Sequence, residues 1–292
     1  DKTAYFGCTA NSDGSQIYIV GGNFWNEEEH SYPFLQIFYT STKTFGDGII
    51  NPSPWNREYA SAVFINGQIY IMGGKGNSTV DSGDPLTWDF YQPNSPVNDG
   101  SSPAYITGGT SAPINGKFYV VDGGYYTPLT GSVYAYDPAS NIWTRRNGVN
   151  PIPRMYVSGG QWNDKVVVYG GMTEDGTVSA TAVAYDPLTD SFTQFANANP
   201  DPTIFEAGAV YNNKLYLFGG RTDIYNGESI TAATKILNLT TGTWSSGADL
   251  PKAIEQATAA AYNGRIYVFG GVDNLDSDYV NPTVYIYNPS TN

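Results

Sequence analysis

Apolar residues in this chain gather in short runs, and six of the runs close on a glycine doublet. The runs are Ile17–Val20, Ile69–Met72, Phe118–Val121, Val166–Tyr169, Leu215–Phe218 and Ile266–Phe269. The doublets are Gly21-Gly22, Gly73-Gly74, Gly123-Gly124, Gly170-Gly171, Gly219-Gly220 and Gly270-Gly271, with Asp122 standing before the third. The first glycines are separated by 52, 50, 47, 49 and 51 residues. A period near fifty residues across the whole chain predicts one supersecondary unit copied six times. Such units bury their apolar faces only by stacking, so one domain of six modules is expected, with blades at about 1–50, 51–100, 101–150, 151–200, 201–250 and 251–292.

Polar punctuation divides each unit into four strands. A tight-hairpin dipeptide precedes each run: Asp13-Gly14, Asn66-Gly67, Asn115-Gly116, Asn163-Asp164, Asn212-Asn213 and Asn263-Gly264. After the doublet comes a longer connection and then an alternating segment, such as Ser132–Tyr136. A second turn follows at Asp137-Pro138, Asp186-Pro187, Asn238-Leu239 and Asn288-Pro289. Trp143, Phe192 and Trp244 then open a fourth strand, with Phe45 in that place in the first repeat. The second repeat is irregular, with Asn98 where the aromatic should fall. The last repeat reaches Asn292 two residues before its aromatic would come, so three strands and an open edge are expected there. Truncation, a tolerated loss, or a strand donated by another segment or chain would each account for it.

The doublet, the upstream Tyr, the Tyr-Asp-Pro turn and the aromatic six residues after its Asp resemble the kelch repeat. Val133–Pro138 with Trp143, and Ala182–Pro187 with Phe192, carry the resemblance best. It extends over essentially the whole chain. It implies an all-β fold, a six-bladed propeller of four antiparallel strands per blade, the last blade lacking its outer strand.

Composition narrows the partners. The net charge is −13, from 27 acidic and 14 basic residues, which argues against nucleic acid and against anionic membrane surfaces. No apolar run is long enough to insert in a membrane. Cys8 is the only cysteine, so no internal disulfide forms. Few lysines, many Tyr, Asn and Thr and the acidic balance lean toward a secreted, extracellular protein, with the cytoplasm as the alternative. Sequons occur at Asn77 and Asn238, as possible glycosylation sites.

Antiparallel order sends the connections after the second and fourth strands to one end of every sheet, and these are the long ones. Binding residues concentrate on such loops. Candidates for ligand binding are Trp25, Tyr32, Trp55, Arg57, Tyr59, Tyr125, Tyr126, Arg154, Tyr156, Phe205, Glu206, Arg221, Tyr225 and Glu255. Tyr59, Gly108, Tyr156, Phe205 and Gln256 align at the start of the first strand, with Phe6 roughly equivalent. They predict an aromatic mouth at the axis, suited to a protein or glycan ligand. Arg154, following Pro153, also matches the kelch arginine that braces a neighbouring loop.

No metal or cofactor is expected. Glu27–His30 offers one histidine at no ligand spacing, and Asp273–Asp278 lacks the EF-hand pattern. The copper-radical oxidases that share the kelch fold need two histidines, and this chain has His30 alone. The iron site of kelch-type specifier proteins has no counterpart here. A non-catalytic binding module is the leading expectation. A self-assembling extracellular protein completed by strand addition is one alternative. The other is a metal-free, mutarotase-like carbohydrate enzyme using Glu206 or Glu255.

Overall fold

A computed structural model describes residues 10–12, 16–20, 35–46, 57–65, 68–72, 75–76, 87–92, 95–101, 107–124, 128–140, 142–223, 229–273 and 281–292. The first repeat forms β1 (Ala10–Ser12), β2 (Gln16–Val20), β3 (Leu35–Tyr39) and β4 (Thr44–Phe45). The second forms β5 (Arg57–Glu58), β6 (Ser61–Ile65), β7 (Gln68–Met72), β8 (Lys75–Gly76), β9 (Thr87–Gln92) and β10 (Ser95–Ser101). The third forms β11 (Thr110–Ile114), β12 (Lys117–Val121), β13 (Ser132–Asp137) and β14 (Ile142–Val149). The fourth forms β15 (Ser158–Trp162), β16 (Lys165–Tyr169), β17 (Ala182–Asp186) and β18 (Ser191–Gln194). The fifth forms β19 (Ala207–Tyr211), β20 (Lys214–Phe218), β21 (Thr234–Asn238) and β22 (Thr243–Ser246). Last come β23 (Glu255–Tyr262), β24 (Arg265–Val272) and β25 (Tyr285–Tyr287).

These strands make an all-β propeller. Among the described residues, five sheets have four antiparallel strands in sequential order, and β23–β25 make a three-stranded sheet where a sixth full blade was not expected. In the irregular second repeat, β6, β7, β9 and β10 form the four-stranded blade, while β5 and β8 pair apart from it.

The turn chemistry acts as expected. Asn115-Gly116, Asn163-Asp164, Asn212-Asn213 and Asn263-Gly264 all have positive φ at both residues, the requirement of a type I′ hairpin. The matching tips of the first two repeats lie outside the described residues. Tyr136↔Trp143, Tyr185↔Phe192 and Leu237↔Trp244 pair directly across the second turn. Asp137, Asp186 and Asn238 accept hydrogen bonds from the backbone two residues on, which sets each turn.

Alternation along a strand distributes side chains between two seams. On β12, Phe118 and Val120 pack toward the second sheet, while Tyr119 and Val121 pack toward the fourth. On β16, Val166 and Val168 face back and Val167 and Tyr169 face forward. Both faces are buried, so the strand reads as a continuous apolar run. A further cluster joins Phe38 on β3 to Tyr267 and Phe269 on β24, with Phe38 and Phe269 edge-to-face at 5.2 Å.

The doublet needs one correction. The register Val121↔Thr110, Tyr169↔Ser158, Phe218↔Ala207 makes Asp122, not Gly123, the counterpart of Gly170 and Gly219. Their φ values agree at 61°, 66° and 69°. With Asp122 in place, the steps from Gly73 and to Gly170 become 49 and 48 residues. A Cβ at Gly219 would collide with the carbonyl oxygen of Ile254 in the following repeat, so this position permits close backbone approach.

Candidate functional site

The innermost strands stand side by side around the axis and enclose a cavity of 460 Å³, lined mainly by Gly, Ala, Ser and Thr. At one end, the residues that lead into β6, β15 and β19 and the second residue of β23 share a left-handed backbone: Tyr59 (φ 57°), Tyr156 (59°), Phe205 (61°) and Gln256 (57°). Gly108 (67°) holds the same place before β11. Bulky residues at positive φ are outliers costing about 1–3 kcal/mol each, kept only where surroundings over-determine them. Here the surroundings are neighbouring repeats. Gly108 N–H donates to the Tyr59 carbonyl at 2.9 Å, Val157 N–H to Gly108 at 2.9 Å, and Gln256 N–H to Phe205 at 2.8 Å.

This backbone throws three rings across the axis. Tyr59 and Tyr156 have centroids 4.8 Å apart, Tyr156 and Phe205 4.9 Å, and Tyr59 and Phe205 6.1 Å. Tyr59 Oη donates to Gln256 Oε1 at 3.4 Å. The predicted mouth is therefore a partly exposed aromatic cap, in which the rings touch one another instead of standing apart. Gly108 makes room for it, since a Cβ there would come within 2.8 Å of the Tyr156 ring.

The charged candidates lie behind the cap. Arg221 places its guanidinium 4.9 Å from the Phe205 centroid, and its Nε stands 3.1 Å from Glu255 Oε2. Gln256 Nε2 donates to the other Glu255 oxygen at 3.3 Å. Burial raises the Glu255 pKa, and Arg221 pulls it back. Glu206 is buried too, and neither of its carboxyl oxygens has a hydrogen-bond partner in the protein. Burial pushes its pKa up to about 8; the hydroxyls of Ser158 and Thr203 oppose this from beyond hydrogen-bond geometry. An acid/base role at the mouth would need an exposed carboxyl, and the oxygens of Glu206 are enclosed by the wall.

Arg154 sits inside the wall and not at the mouth, with none of its surface exposed. Its Nη1 donates to Ser179 Oγ and to the carbonyl and hydroxyl of Thr181, at 2.8–3.0 Å. Its Nε is 3.9 Å from Asp122 Oδ2, which also accepts from Asn150 Nδ2 at 2.5 Å. Burial raises Asp122 to about 7 against the pull of Arg154, and burial lowers the Arg154 pKa. Asp122 and Asn150 were not among the candidates. The uneven glycine spacing around residue 122 was the available signal for the first.

Trp25, Tyr32, Trp55, Tyr125, Tyr126, Tyr225 and Asn77 lie outside the described residues, as does Phe6. Arg57 belongs to β5, whose backbone alone is described. Asn238 lies in a second-turn position at the opposite end of the sheets from the cap. Among the described residues, no three His, Cys, Asp or Glu side chains gather as a metal site.

Residues 108–292 match the family model described as the KLHDC2/KLHL20/DRC7 Kelch-repeats domain. "Kelch-like protein terF" of Aspergillus terreus is 39% identical over 56 residues, which are 18% of this chain and 12% of that protein. "Kelch repeat and BTB domain-containing protein 12" of Danio rerio is 24% identical over 150 residues, 44% of this chain and 24% of that protein. The match thus spans no more than about a quarter of either relative's length.

Proposed function

Since this chain belongs to the kelch-repeat family, whose model covers more than half of it, we propose that it is a non-catalytic binding module that holds a protein segment over the axial cap. The observation that carries this reading is the set of three aromatic residues at positive φ, two of which, Tyr59 and Phe205, accept backbone bonds from the following repeat. Strain of this kind marks sites where geometry matters more than stability. Partly exposed aromatic side chains are the residue types that dominate binding energy at interfaces. A glycan would use the same rings and is the alternative occupant.

We further propose that β23–β25 is the sixth blade of the ring. The packing of Phe38 against Tyr267 and Phe269 supports it, because that contact joins the last sheet to the first. Its outer strand β25 exposes Ile286, and a strand from elsewhere could add there.

Selection of binders from a displayed peptide library tests the site. Clones should compete with one another and lose about tenfold or more in affinity on Tyr156→Ala, while Tyr262→Ala on the last hairpin leaves binding intact. Clones that bind the Tyr156→Ala protein as well as the wild type would move the site away from the cap. Enrichment on a glycan array with the same Tyr156 dependence would favour the alternative.

A further inference from the structure

Accepting the cap as the binding site, we propose that its partner is a basic polypeptide segment, and that the cap receives arginine or lysine side chains. Three observations lead there. The first is the chemistry of the cap: three ring faces whose π-quadrupoles attract cations. The second is an internal precedent. Phe205 already carries a guanidinium, that of Arg221, whose charge is met from behind by Glu255. One ring of the cap is thus seen doing to an arginine of this chain what the cap would do to an arginine of a partner.

The third observation is where the charge lies. The connections from the second to the third strand of each sheet are 21–34, 73–86, 122–131, 170–181, 219–233 and 273–284. They contain 13 of the 27 acidic residues and only two of the 14 basic ones, Lys75 and Arg221. The rest of the chain is nearly balanced, with 14 acidic and 12 basic residues. Strands alternate in direction, so these connections leave from the end of the sheets where the cap sits. Glu174, Asp175 and Asp223 are exposed there. Arg154 and Arg221 do not offset them, because Arg154 is enclosed and Arg221 is held by Glu255. Of the net charge of −13, −11 is thus carried by connections that leave from the cap's end of the sheets. A field of one sign at a concave site steers ligands of the other. Nucleic acid, the commonest highly charged partner, carries the wrong sign.

The test uses labelled peptides of about twelve residues in three versions, Arg-rich, Glu-rich and uncharged, read by fluorescence anisotropy against the whole chain. The Arg-rich peptide should bind at least about tenfold more tightly than either other. Raising salt from about 50 to about 200 mM should weaken it severalfold, as the screening length shortens. Tyr156→Ala should cost at least about fivefold, and Glu174→Lys with Asp223→Lys should cost a similar factor without changing the melting temperature. Equal binding of the uncharged peptide, or charge-reversed variants that bind as well as wild type, would overturn the proposal. If no peptide of the three binds while displayed clones still depend on Tyr156, the cap remains the site and the basic partner falls. If the Arg-rich peptide binds but Tyr156→Ala has no effect, both the cap and this use of it fall.

Discussion

The seam between the third and fourth sheets and the seam between the fourth and fifth share one backbone frame and handle a buried acid differently. In the former, Asp122 projects from the end of β12 and meets Arg154 and Asn150. In the latter, Gly170 replaces Asp122, Thr203 replaces Arg154, and Asn199 replaces Asn150. Asn150 and Asn199 cap equivalent turns, accepting from Ile152 N–H and Asp201 N–H at 3.1 Å each. With no acid at 170, Asn199 donates to Tyr169 Oη at 2.6 Å instead. The second seam receives its carboxyl from the inner strand: a Cβ built on Gly170 would lie 2.9 Å from Glu206 Oε1. The two seams thus fill one space from opposite walls. Only the first supplies a guanidinium.

That difference decides how each acid is tolerated. A buried carboxylate is costly unless a charge or several donors meet it. Asp122 is raised to about 7 with its partner pulling down, and Glu206 to about 8 with no arginine near. The nearest cation with influence on Glu206 is Lys235, but its Nζ is engaged by the Asp201 carbonyl and Thr203 Oγ1. Glu206 is therefore the proton-dependent seam.

Five substitutions would break or sharpen the contrast. The largest effect is expected from Arg154→Met, which strips the donors from Thr181 and Ser179 and strands Asp122; a loss of about 3–5 kcal/mol follows in urea unfolding. A loss below about 1 kcal/mol would mean that the arginine braces nothing.

Next is Glu206→Gln, read as stability against pH. Because the folded pKa of Glu206 lies above its ordinary value of 4.5, the native state holds the proton longer than the unfolded chain. Stability from this group is present below about pH 4.5 and is lost as pH rises through about 8, on the order of 2–4 kcal/mol. The Gln variant should lack that decline and exceed the wild type at pH 9. Parallel pH profiles for the two proteins would refute the assignment.

Asn150→Ala should cost about 1–3 kcal/mol, because a buried carboxyl loses its donor, and Asn199→Ala about 1 kcal/mol less, because only a phenol does. Equal losses would erase the distinction between the seams. The smallest expected effect is that of Thr203→Arg, which installs the missing guanidinium beside Glu206. It should lower the Glu206 pKa and flatten the alkaline loss of stability by about 1 kcal/mol. An unchanged pH profile would show that the frames are not interchangeable.

Much of the architecture was legible in the residues. Asn115-Gly116 and Asn263-Gly264 adopt the left-handed hairpin backbone that their dipeptides favour, because turn conformation is a local property. Trp143 and Phe192 face Tyr136 and Tyr185 as their spacing from the turn implied. The alignment of Tyr59, Gly108, Tyr156, Phe205 and Gln256 also survives, down to a shared sign of φ. The charged candidates were less legible. Arg154 reads as a mouth residue from its place near Tyr156, yet two residues before that ring the chain turns its side chain into the wall. Glu206 follows Phe205 and is turned inward in the same way. Asp122 hides behind an apparent glycine doublet shifted by one.

The sequence by itself determined what depends on near neighbours: the repeat, the strands, the hairpin types, and the residues at the start of each inner strand. Tertiary structure decided which of those residues meet. The rings of Tyr59, Tyr156 and Phe205 touch across the axis although 97 and 49 residues separate them in turn, because their blades converge there. Arg154 finds Asp122, and Glu206 finds no arginine, because a side chain in a seam is answered by the neighbouring blade. Local periodicity says which way a side chain points. Only the packed ring says what stands opposite it.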